Sequence, residues 1–126
     1  MNKLSSTSLA RLKGVHPDLV RVIKRAADTT AVPFLVVEGL RTMERQKQLK
    51  KIGASTILNS RHITGHAVDL VPLIDGKVSW HWPHFRKLAP FIRAAARAEK
   101  VPLEWGGDWK RFPDAPHWQL PRNLYK

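Results

Sequence analysis

Residues 60–72 read SRHITGHAVDLVP, placing His62, His66 and Asp69 around Gly65 just before an apolar run. An unpaired charge inside AVDLV would be costly to bury. Asp69 therefore has either a basic partner among the 22 Lys and Arg residues or a bound cation. Farther along, DAPHWQL sets Asp114 three residues before His117. The chain contains no cysteine, so a metal could be held only by His, Asp or Glu. His62, Asp69 and His117 could form a three-ligand zinc site with an open fourth position, the pattern of catalytic zinc. Asp114 would then be a nearby carboxylate able to act as general base. Zinc lowers the pKa of its bound water to about 7, which would let that water attack a carbonyl. Arg41 ends VVEGLRT, where it could reach into a cleft toward an oxyanion or a carboxylate, or be one more surface arginine. His66 stands at i+4 from His62, a ligand spacing only on a helix, and Thr64-Gly65 argues against one. With His16, His81 and His84 it is read as a surface or hydrogen-bonded histidine.

The elements that must position these residues are short. HPDLVRVIKRAADTT puts Leu19, Val22, Ile23, Ala26 and Ala27 on one helical face, with Pro17 in the first turn. VPFLVVEG is an apolar, β-branched strand ended by glycine. TMERQKQLKKIG reads as a helix capped by Thr42, with Glu44 and the lysines matching its dipole and Gly53 ending it. Residues 54–65 read as a loop. HAVDLVPLIDGKVSW gives a strand, a turn at Asp75-Gly76 and a second strand. On the first of these, Ala67, Asp69 and Val71 share one face, and Val68 and Leu70 the other. WPHFRKLAPFIRAAARAEK is a helix in which Pro90 should kink or end the run. VPLEWGGDW is a strand into a Gly-Gly turn. PHWQLP is a last strand with His117 and Gln119 on one side, Trp118 and Leu120 on the other. PRNLYK reads as a tail. The order of elements predicts an α+β domain. Trp105, Trp109 and Trp118 are expected in the core or, failing that, on a cleft wall. Trp80 and Trp82 form either a staple at a helix entry or an exposed patch.

The bulk properties agree with a single folded domain of 126 residues, with 43% hydrophobic residues, five Trp and four Phe. The net charge is +12, above the magnitude of roughly 2 to 8 that solubility needs. A polyanionic partner is the natural expectation: nucleic acid, an anionic membrane surface or a cell-wall polymer. MNKLSSTSLARLKGV lacks the continuous apolar segment of a signal peptide, and no stretch approaches the ~20 apolar residues of a membrane span. Synthesis in the cytoplasm without export by its own signal is expected.

Three separated segments also resemble one known family. SRHITGHAVDL is similar to the Ser-x-His-x-x-Gly-x-Ala-x-Asp signature of the zinc peptidases related to D-Ala-D-Ala dipeptidases and carboxypeptidases. EGLRTMERQ resembles their upstream arginine motif and DAPHWQL their downstream acid-x-x-His motif. The nearest likeness, through WGGDWKRFPDAPHWQL, is to bacteriophage L-alanyl-D-glutamate peptidases, the endolysins, over roughly residues 15–120. The resemblance implies a fold shared with the hedgehog signalling domain: a small, mainly antiparallel sheet flanked by helices. It implies that residues 1–126 are one catalytic domain without a separate wall-binding domain. It implies one catalytic Zn2+ on His62, Asp69 and His117, with Asp114 as catalytic base and later acid. Arg41 would stabilise the oxyanion or anchor substrate, Ser60 would contact substrate, and Gln46 would support the site from behind. EGLRT departs from the commoner Ser-Gly-Tyr-Arg-Ser form, which leaves the roles of Glu38 and Leu40 open.

The expected function is zinc-dependent cleavage of the L-Ala–D-Glu bond of the peptidoglycan stem by a monomeric phage endolysin. Such an enzyme would wait in the host cytoplasm and reach the periplasmic wall after membrane permeabilisation, aided by electrostatic contact with the anionic envelope. A D-Ala-D-Ala carboxypeptidase or dipeptidase keeps the chemistry and changes the substrate. A basic nucleic-acid-binding module is the rival from another class. Against it, the basic residues are spread along the chain, no nucleic-acid partner is expected, and a structural zinc site would take four protein ligands.

Overall fold

The computed structural model describes residues 4–53 and 61–125. Among these, four helices surround a small antiparallel sheet: α1 (Ser6–Arg11), α2 (Pro17–Thr29), β1 (Phe34–Glu38), α3 (Met43–Lys51), β2 (Ala67–Ile74), β3 (Lys77–Val78), α4 (Trp82–Glu99), β4 (Glu104–Trp105) and β5 (His117–Gln119). The strands run β1-β2-β5-β4, with β3 folded back on the far end of β2. This is the α+β arrangement expected, a sheet flanked by helices.

Helices α2 and α3 form where their caps and apolar stripes predict. In α2 the five expected residues are all buried and Pro17 stands in the first turn. Thr42 caps α3 by accepting from Arg45 N–H, with Glu44 in the first turn and Lys50 and Lys51 in the last. Asp75 and Gly76 both have positive φ, 53° and 78°, the conformation a two-residue hairpin between β2 and β3 requires. Trp105 and Trp118 stack in the core at 5.5 Å and 16°, while Arg93 of α4 lies over the Trp105 ring. That contact fixes which sheet face meets α4.

Three expectations change. First, α1 was not foreseen. Ser5 caps it, and Ser8 and Arg11 reach β1: Ser8 Oγ accepts from Val36 N–H, and Arg11 Nη1 donates to the Val36 carbonyl. Second, α4 runs unbroken through Pro90. Pro90 and Arg86, whose carbonyl loses its partner, are both exposed, so water can satisfy that carbonyl. Third, the C-terminal residues are tied down. Tyr125 packs against the core, its hydroxyl donates to Asp18 Oδ2 at 2.7 Å, and its carbonyl accepts from Arg61 Nη2 at 2.6 Å.

The Tyr125 hydroxyl holds the Asp18 carboxyl below its ordinary value, and Arg21 adds to the effect. A depressed carboxylate pKa stabilises the fold above the unfolded value of about 3.9 and ceases to do so as pH falls through the folded one. Tyr125→Phe should therefore lower the melting temperature at pH 7. The gap to wild type should close on acidification below the carboxylate range, as read by thermal unfolding across a pH series.

Candidate metal centre

The sheet register builds the site. Asp69, third in β2, faces Glu38 of β1 on one side and His117 of β5 on the other. The adjacent row pairs Val68 with Trp118 and belongs to the α4 side. Because strand side chains alternate, Asp69, His117 and Glu38 share the opposite face. Glu38 is there because β1 bulges. Val36 pairs with Leu70 and Glu38 with Asp69, so Val37 is an extra residue and the strand's facing switches between them. His62 comes from the turn that precedes β2.

These residues converge as the sequence predicts. His62 Nε2 lies 3.2 Å and His117 Nδ1 3.5 Å from the same oxygen, Asp69 Oδ1. The three ligand atoms fall within 4.8 Å of one another. Each imidazole is turned by its other nitrogen. His62 Nδ1 is 2.9 Å from the Gly39 carbonyl, which can only accept, so Nδ1 carries the proton and Nε2 presents a lone pair. His117 Nε2 is 2.8 Å from Gln119 Oε1, leaving Nδ1 toward Asp69. Gly39 can supply its carbonyl because it lacks a side chain: a Cβ there would sit 2.0 Å from the Arg11 carbonyl.

The donor set fits a metal ion. Asp69 Oδ1 is buried and accepts no hydrogen bond among the described residues, although two imidazole nitrogens stand beside it. Two lone pairs aimed at a carboxylate oxygen are explained by a cation between them. Tetrahedral ligands at about 2.0–2.2 Å from zinc would be separated by roughly 3.3–3.6 Å, close to these spacings. Burial would push the Asp69 carboxyl up, but His117 and His62 outweigh it and hold it well below the usual carboxylate range. Burial disfavours the His117 imidazolium, yet Asp69, Gln119 and Asp114 more than compensate and raise its pKa.

Asp114 and Arg41 stand on either side of this cluster. Asp114 Oδ2 lies 4.0 Å from His117 Nδ1. Burial and the neighbouring Asp69 charge raise its pKa above the ordinary value. Gly106 lets Asp114 approach: Asp114 N–H donates to the Gly106 carbonyl, and a Cβ at Gly106 would meet the Asp114 carbonyl oxygen at 2.4 Å. Arg41 is buried and clamped. Its Nε and Nη2 donate to the two Glu38 oxygens at 2.8 and 2.5 Å, and Nη1 donates to Gln46 Oε1 at 2.6 Å. Nη2 also lies 3.8 Å from Asp69 Oδ2, at the edge of the metal-ligand cluster. Gln46 is thus a buried support for Arg41, and Glu38, whose role the sequence left open, orients the same guanidinium. Leu40 is half exposed beside them.

The other histidines stay out of the cluster. His16 accepts from Asp18 N–H at the start of α2, His66 pairs with Thr64, and His84 pairs with Ser79. His81 stands against His84. Trp109 is half-buried with its ring 5.0 Å from His117, so it borders the site, unlike Trp105 and Trp118. Trp82 packs against the core and Trp80 is 59% exposed. Ser60 lies outside the described residues, as do residues 54–59 of the expected loop. Sequence reasoning missed the Gly39 carbonyl behind His62 and the contact of Glu104 with Gln119. Gln119 was placed on the His117 face, but its contact was not anticipated.

Comparison with known proteins bears on the whole chain. The profile of the phage L-alanyl-D-glutamate peptidase family matches residues 1–120. The L-alanyl-D-glutamate peptidase of Escherichia phage T5 is 31% identical over 98% of this chain and 92% of its own length. That of Listeria phage A118 is 34% identical over 91% of this chain and 41% of its own. The crystal structure of the Serratia marcescens L-Ala D-Glu endopeptidase ChiX superposes with a TM-score of 0.91 at 48% identity, covering 98% of this chain and 92% of that one. With its fold, its motifs and its ligand cluster all in agreement, the chain belongs to the phage L-alanyl-D-glutamate peptidase family.

Proposed function

We propose that this protein is a zinc-dependent endopeptidase that hydrolyses the L-alanyl–D-glutamate bond of the peptidoglycan stem peptide, and that it serves a phage as endolysin. The observation that carries the reading is the His62–Asp69–His117 cluster with Asp114 beside it, on one sheet face of a chain in this family. The two phage relatives and the solved structure are named for that bond.

His62, Asp69 and His117 would hold the metal. Zinc bound there supplies Lewis acidity and a water that is nucleophilic near neutral pH. Asp114 takes the proton from the attacking water and returns it to the leaving nitrogen of D-glutamate. Its raised pKa suits a group that must both accept and release a proton. Arg41, fixed by Glu38 and Gln46, holds positive charge where the scissile carbonyl oxygen becomes negative. Its preset orientation means that little reorganisation is needed as that charge develops. Ser60 contacts the substrate in this reading. The enzyme acts as a monomer on the wall, reached from the host cytoplasm after membrane permeabilisation. Among the described residues no helix is long and apolar enough to cross a membrane.

Digestion of purified Gram-negative sacculi, read by mass spectrometry, tests the reaction. Release of peptides beginning at D-glutamate, abolished by a chelator and restored by zinc, is the expected outcome. Loss of terminal D-alanine alone would reassign the bond, and no cleavage by folded, zinc-loaded protein would refute the enzyme reading. Asp114→Asn should lower kcat by roughly 10²–10⁴-fold, the range of a general acid–base group, with bound zinc unchanged by metal analysis. The net charge of +12 should also draw the protein to the anionic wall. Retention on sacculi in a pull-down should therefore fall as salt rises from low ionic strength to well above 0.15 M.

A further inference from the structure

The site face of the sheet continues past His117. Gln119, two residues on, is paired in register with Glu104 of β4. Gln119 Nε2 donates to Glu104 Oε1 at 3.2 Å, and Gln119 Oε1 lies 2.8 Å from His117 Nε2. The chemistry of the outermost group fixes the direction of the Gln119 amide. A carboxylate accepts and cannot donate. Glu104 therefore draws the NH2 end of the Gln119 amide, so the oxygen of that amide must face His117. An oxygen facing His117 Nε2 requires the proton on that nitrogen. The remaining nitrogen, Nδ1, is then left with its lone pair toward Asp69 Oδ1, 3.5 Å away.

We infer that Glu104, acting through Gln119, selects the tautomer of His117 that presents Nδ1 to the metal. Both are positioning residues. The inference rests on the reading above that His117 is a metal ligand: with a cation between Nδ1 and Asp69 Oδ1, that carboxylate does not compete for the imidazole proton, and the group against Nε2 decides where it sits. An amide alone would not decide the matter, because turned end for end it would offer NH2 to Nε2 and favour the opposite tautomer. The Glu104 charge removes that choice. The partner histidine needs no such device, since the Gly39 carbonyl next to His62 Nδ1 cannot be turned into a donor.

Two measurements on the full chain test this. Zinc affinity is read by competition with a chromogenic chelator. The tautomer is read from long-range proton–nitrogen correlations of imidazole-labelled, zinc-loaded protein, which distinguish the protonated ring nitrogen from the metal-bound one. Gln119→Leu should weaken zinc binding by about 10- to 100-fold, the usual effect of losing a partner behind a ligand. The exchanged pair Glu104→Gln with Gln119→Glu keeps an acceptor against His117 and a donor behind it, and should restore affinity to within about threefold. Glu104→Lys puts a donor behind Gln119. It should turn the amide, move the His117 proton to Nδ1 and weaken zinc binding more than Glu104→Ala does. Circular dichroism of each variant separates these effects from misfolding, and the exchanged pair remains informative if Gln119→Leu does not fold. Wild-type His117 protonated on Nδ1, or zinc affinities within twofold across the folded variants, would overturn the inference. A folded wild-type protein that binds no zinc would instead refute the metal reading on which the inference rests.

Discussion

The structure depends on one carboxylate. Asp69 sits mid-strand with its side chain largely buried, one oxygen beside two imidazoles and the other within reach of a guanidinium. Such a group is tolerated only where every neighbouring strand delivers a compensating partner. The register does this: β5 brings His117, the turn before β2 brings His62, and the bulge in β1 brings Glu38, which in turn fixes Arg41. A slip of one residue on either side would turn Trp118 or Val37 toward Asp69. Strand pairing and metal binding are in this sense one specification, because the register that buries the tryptophans on one face is the register that assembles the ligands on the other.

Much of this was legible in the residues. The alternation of AVDLV and HWQL placed Asp69 and His117 on definite faces, and the caps and apolar stripes located α2 and α3. The His62–Asp69–His117 set was a candidate on residue chemistry, since cysteine is absent, and the family resemblance singled it out. What the sequence hid has a common cause. The Gly39 carbonyl, Glu104 and the Glu38–Arg41 clamp work through contacts between elements, and pattern along one chain does not report the pairing across strands. The bulge at Val37 has no local signature. Helix α1 is too short to show a stripe, and its polar residues, which look like surface, turn inward to the backbone of β1. The C-terminal residues read as a tail for the same reason: Tyr125 is held by Asp18 and Arg61, distant in sequence.

Several glycines belong to the same account, at the places where backbone must pass close to backbone. Gly106 admits the Asp114 carbonyl and Gly39 admits that of Arg11, so the positions of Asp114 and of the support of His62 are both set by absent side chains. The site is accordingly held from behind by main-chain contacts, while Asp114 and Trp109 remain only partly covered at its mouth.

The contacts from α1 to Val36 have a consequence beyond packing. β1 is an outermost strand of the sheet, and its free side would offer a donor and an acceptor to any extended segment. Ser8 occupies the donor and Arg11 the acceptor at the buried centre of that edge. The opposite outer strand, β4, is only two residues long and carries the charge of Glu104. Among the described residues, both outer strands of the β1-β2-β5-β4 path are thus poor templates for a second molecule's strand. The strand that leads into Arg41 is thereby shielded from pairing with a strand of a second molecule.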